Sequence, residues 1–105
     1  MPTTDTADWS RAEPGSVLAT ADDYGELVAA LRKRKAALSL SGAEIEQRTG
    51  LAAGYVAKLL GPSRVKVAGP LSLGLMLQTL GLRLAVIAAE TPRPGLPKRN
   101  QQEAA

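Results

Sequence analysis

Residues 41–62 read "SGAEIEQRTGLAAGYVAKLLGP", and this stretch dictates its own starts and stops. Ser41 followed by Glu44 is the pattern of a capping box: the serine side chain caps a helix while the glutamate reaches back to it. Ile45 then faces the core, and Gly50 fits a left-handed stop. A second short helix is expected over residues 52–60. Its apolar Val56, Leu59 and Leu60 lie near its end, and Gly61-Pro62 closes it.

Two further helices flank this pair. In "YGELVAALRKRKAAL", Leu27, Val28, Leu31 and Leu38 form an apolar stripe. Asp22 and Asp23 stand at its start and bases in its later turns, which suits the helix dipole. In "LSLGLMLQTLG", Leu73, Met76, Leu77 and Leu80 fall at i, i+3, i+4 and i+7, a core-packing stripe that Gly81 ends. A basic, proline-bracketed loop, "GPSRVKVAGP", precedes it. After Gly81, "LRLAVIAA" changes period. Leu82, Leu84 and Val86 alternate with Arg83, Ala85 and Ile87, which favours a strand. A lone strand cannot satisfy its ladder bonds. The expected partner is the same strand of a second subunit, with Leu82, Leu84, Val86 and Ile87 at the dimer contact.

The expected organisation is a disordered acidic tail over residues 1–21, a folded domain over residues 22–90 and a second disordered tail over residues 91–105. Trp9 is expected to be an exposed residue of the first tail. The fold class is mainly α: four helices and a short C-terminal β-strand.

Composition removes several functions. The chain has no His, no Cys and no Phe, and Trp9, Tyr24 and Tyr55 are its only aromatics. Catalytic imidazole, thiolate metal sites and disulfides are therefore absent. No glycine-rich phosphate cradle is present either, so no enzyme, cofactor, metal or small-molecule substrate is expected. No apolar run reaches the ~18 residues of a membrane span. The N-terminus lacks the basic start and apolar run of a secretory signal, so a cytoplasmic location is expected. Charge divides the chain. Up to Glu26 the acids are Asp5, Asp8, Glu13, Asp22, Asp23 and Glu26, against Arg11 alone. From Leu27 to Arg83 the bases are Arg32, Lys33, Arg34, Lys35, Arg48, Lys58, Arg64, Lys66 and Arg83, against Glu44 and Glu46. This is the footprint of a surface for nucleic acid or for an acidic protein face. Arg32 and Lys35 share a side of their helix at i, i+3, whereas Lys33 and Arg34 are expected to face solvent.

The segment "LRKRKAALSLSGAEIEQRTGLAAGYVAKLLG" resembles the helix-turn-helix domain of the Cro/C1 or XRE family of phage-repressor-like regulators. The residues that carry the resemblance are Leu31-Arg32, Lys35, Leu40-Ser41, Glu44-Ile45, Thr49-Gly50-Leu51, Val56, Lys58 and the "LGL" at residues 80–82. The helix-then-strand ending is similar to that of HipB-type antitoxins, whose terminal strands pair across a dimer. The resemblance implies a phage-repressor-like four-helix domain. Its second helix would brace the DNA backbone and its third would lie in the major groove.

Five residues in three places depart from the family pattern. Gly42 stands where a backbone-contacting Gln is usual, and Glu46 where a small Ala packs between the helices. Ala52, Ala53 and Gly54 replace polar readers. Two functions follow. One is a regulator, acting as a repressor, that binds operator DNA. Arg32, Lys35, Arg48, Lys58, Arg64 and Lys66 would grip phosphates, while Ala53, Gly54 and Tyr55, joined by Gln47, would meet the bases. The other is an antiactivator or antitoxin that captures a transcription activator or a toxin with the same face, anchored by Tyr55.

Overall fold

Asp23 starts the first helix as its side chain accepts from the Glu26 N–H at 2.8 Å. The computed structural model describes residues 6–62 and 66–90. Within them lie a 3-10 helix, Thr6–Arg11, and four α-helices: α1 Tyr24–Ala37, α2 Gly42–Thr49, α3 Tyr55–Leu60 and α4 Pro70–Leu80. The protein is mainly helical. α1 packs on α3 and α4, and α2 packs on the same two helices.

The helix ends have local causes. The Ser41–Glu44 capping box is formed, and Gly50 closes α2 at φ 82°. Gly81 closes α4 at φ 67°, in the left-handed region that favours glycine. At Gly61 a Cβ would collide with the Ala57 carbonyl, so the tight exit from α3 demands glycine. The core gathers Val28, Leu31, Ile45, Val56, Leu59, Leu60, Met76 and Leu80. It is aliphatic, as a chain without Phe requires. No polar or charged residue is buried among the described residues. The Tyr24 hydroxyl accepts from the Ala68 N–H at 2.8 Å and ties the start of α1 to the approach to α4.

Several expectations are corrected. The third helix starts at Tyr55, not at residue 52. Gly54 sits at φ 85°, which no helix interior allows, and Tyr55 N–H closes a turn onto the Ala52 carbonyl. Ala52, Ala53 and Gly54 therefore belong to the turn. Trp9 is 7% exposed, not a free tail residue. It lies against α1, where the Lys33 ammonium sits 4.7 Å from its ring centroid. Arg34 does not face solvent: it is half-buried and donates to the carbonyls of Leu80 and Trp9. Residues 12–21 hold one turn at Pro14-Gly15 and no helix or strand.

Residues 82–89 carry no hydrogen-bonded secondary structure in the single chain. Leu84, Val86 and Ile87 are exposed by 54%, 104% and 60%. Arg64 and the C-terminal stretch 91–105 lie outside the described residues.

Candidate binding face at α2, the turn and α3

Four side chains shape this face: Ser41 and Glu44 cap α2, Thr49 ties the turn to α2, and Glu46 joins α2 to α3. Ser41 Oγ accepts from the Glu44 N–H at 3.0 Å, and Glu44 Oε1 accepts from the Ser41 N–H at 2.8 Å. Thr49 Oγ1 donates to the Ile45 carbonyl at 2.8 Å and accepts from the Leu51 N–H at 3.2 Å, which ties the turn to α2. Gly54 offers α3 no side-chain cap. Glu46 supplies one from the neighbouring helix, its Oε2 accepting from the Val56 N–H at 2.9 Å. A carboxylate at a helix N-terminus is stabilised by the exposed N–H donors and the dipole there. This contact gives the half-buried glutamate a structural role at the α2–α3 seam. A Cβ at Gly42 would stand 3.6 Å from Val56, so that glycine faces the α2–α3 seam.

These caps settle the local electrostatics. The backbone donors at Glu44 and Val56, which a phosphate could take at two helix starts, are already used by Ser41 and Glu46. The cationic side chains around these helix starts are the other groups that can hold an anion. The hydrogen bonds from Ser41 hold the Glu44 carboxyl below its ordinary value of 4.5, and Arg48 adds a smaller pull in the same direction. A group with a lowered native pKa contributes stability above its unfolded value and loses it as pH falls through the native one. Lowering the pH below about 4.5 should therefore shift the urea midpoint of wild type more than that of Glu44→Gln, which keeps a hydrogen-bonding oxygen but does not titrate. Equal shifts in both proteins across pH 2.5 to 6 would remove Glu44 from the account.

Gln47, Arg48, Ala53, Gly54, Lys58 and Lys66 are exposed. On α1 Arg32 is exposed and Lys35 half-buried. Gln47 and Ala53 line one open concavity of ≈ 360 Å³, together with Ala43, Glu44, Glu46 and Leu51. Lys66 N–H donates to the Lys58 carbonyl at 3.1 Å, so the loop after α3 returns to its flank and brings two cationic residues side by side. Tyr55 departs from expectation. It is half-buried and packs against the core, and its hydroxyl lies 3.5 Å from Ser72 Oγ on α4. It is not an exposed aromatic anchor.

The sequence reading missed Glu46 as a cap. The signal was present: a helix that begins after Ala, Ala and Gly has no capping side chain of its own. No group of three or more acidic residues able to hold a metal occurs among the described residues. No helix among them is long and apolar enough to cross a membrane. No protein-family model, curated protein or solved structure matches the chain.

Proposed function

We propose that this chain is a cytoplasmic helix-turn-helix regulator, a repressor that binds duplex DNA with α2, the turn and α3. The observation that carries the reading is the fate of the two acids in the basic half. Glu44 and Glu46 are both engaged as helix caps, while Gln47, Arg48, Lys58 and Lys66 remain exposed around them. Arg48, Lys58, Lys66 and Arg32 would neutralise phosphates, and Lys35 would assist from α1. Ala53 and Gly54, small and exposed in the turn, allow close approach to a groove, where the Ala53 methyl suits a thymine methyl. With few polar readers on α3, phosphate contacts would supply most of the affinity and little of the specificity.

The test is anisotropy of labelled duplexes across a salt series. Arg48→Ala and Lys58→Ala should each weaken binding to every sequence, and each should reduce the log–log salt slope by about 1. Wild-type slopes in both variants would mean that neither residue touches the DNA backbone.

In this reading the protein is a homodimer paired through residues 82–88. Leu84, Val86 and Ile87 then bury surface that one chain leaves open. Val86→Pro should convert a sedimenting dimer to a monomer, because proline removes a ladder donor. A folded wild-type monomer at high concentration would contradict the pairing.

A second reading, capture of a transcription activator or toxin, is favoured by a different observation. Val67, in the loop before α4, and Leu71, in its first turn, are exposed by 69% and 75%. An apolar surface of this kind suits a protein partner better than a phosphate backbone. Pull-down from native lysate with and without nuclease separates the two readings.

A further inference from the structure

The segment Thr6–Arg11 is attached to the domain in an unusual way. Among the helices of the described residues it packs only on α1. Its anchor is one buried side chain, Trp9, beneath the Lys33 ammonium. Its backbone is held by Arg34, whose Nη1 donates to the Trp9 carbonyl. The connector that follows is mostly exposed, and its hydrogen bonds are local: Ser16 N–H and Oγ–H both donate to the Glu13 carbonyl. An element fixed by one aromatic and one guanidinium can open while the rest of the domain stays folded.

The same guanidinium has a second task. Arg34 Nε donates at 2.8 Å to the carbonyl of Leu80, the last residue of α4. Its Nη2 would stand 3.3 Å from a Cβ at Gly81. A carbonyl at a helix C-terminus lacks an intrahelical donor, and a cation there meets the negative end of the dipole. Here the chain also turns out of α4: Gly81 is left-handed, its N–H donates to the Gln78 carbonyl, and the Leu82 N–H donates to that of Leu77. A guanidinium is a rigid planar fork. One acceptor fixes its orientation toward the other, so losing the Trp9 carbonyl frees the group that seals the end of α4.

We infer that the Trp9 arm is a reversible latch whose docking is coupled, through Arg34, to the order of the chain at Gly81 and Leu82. The coupling runs both ways, as any linkage must. Anything that stiffens the exit from α4 favours the docked arm, and release of the arm loosens the exit. The contacts all lie within one chain, so the inference stands apart from DNA binding and from pairing of residues 82–88.

The test uses the full chain at a concentration where it is monomeric. Acrylamide quenching of the single tryptophan reads docking. Native-state hydrogen exchange at Gly81 and Leu82 reads the exit, and exchange at Ile45 monitors the core. Trp9→Ala should speed exchange at Gly81 and Leu82 about fivefold, the scale of one net hydrogen bond, and leave Ile45 unchanged. Arg34→Lys keeps the charge but loses the fork. It should raise quenching of Trp9 and speed the same two amides. The double variant should exchange more slowly than the product of the two single effects, because both changes break one connection. Unchanged exchange at Gly81 and Leu82 in Trp9→Ala, multiplicative effects in the double variant, or an equal rise at Ile45 would each overturn the coupling.

Discussion

Truncating Leu59 to alanine should lower the unfolding free energy by about 3 kcal/mol. Leu59 is fully buried within the core cluster. It belongs to a helix of six residues, Tyr55–Leu60, three of which are buried. So short a helix is not stable by propensity, and its one side-chain cap is lent by Glu46. Packing must therefore hold α3 in place. A folded unit of roughly 60 residues carries about 6 kcal/mol at ~0.1 kcal/mol per residue, so this single change should remove about half of the total. The urea midpoint should fall with little change in slope, since the surface exposed on unfolding is nearly the same. A loss below about 1 kcal/mol would mean that α3 is not docked by this side chain, well under the usual range for a buried leucine.

The features legible in the sequence are those whose cause lies within a few residues. Ser41 and Glu44 are three apart, and their capping box is formed as expected. Gly50 and Gly81 stop their helices because only the left-handed conformation lets the chain turn there. The apolar spacing of Val28 with Leu31 and of Met76 with Leu80 placed the buried faces of α1 and α4. What escaped the reading acts at a distance. Glu46 caps a helix that begins nine residues later, at Tyr55. Arg34 reaches Leu80, and no helical pattern announces a partner so far along the chain. Trp9 lies in a patternless acidic stretch, where composition alone gave it nothing to bury against. The start of α3 misled for a local reason. Two alanines are good helix formers, but the glycine after them takes a left-handed turn and ends the helix pattern before it begins. The alternation over residues 82–88 is plain in the sequence, yet a ladder needs two strands, and no strand forms among the described residues.

That shift of α3 changes what Tyr55 should do. With the helix starting at Tyr55 itself, the ring turns toward the core and α4 instead of outward. Its removal should therefore act on stability first: Tyr55→Ala should cost about 2 kcal/mol, less than a fully buried aromatic because the ring is only half-buried. The hydroxyl should matter much less. Its 3.5 Å approach to Ser72 Oγ is longer than an ordinary hydroxyl hydrogen bond, so Tyr55→Phe should change stability by about 0.5 kcal/mol or less. Binding separates the remaining possibilities. If DNA is the ligand, as proposed, Tyr55→Phe should hold affinity within about twofold at a temperature where both variants are folded, because the hydroxyl is turned to α4. A tenfold loss confined to one or two base positions would instead make that hydroxyl a base contact. Tyr55→Ala at full stability, with a salt-independent loss of a protein partner, would restore the ring as an exposed anchor. Either result would require the ring to leave its place against the core when the ligand binds.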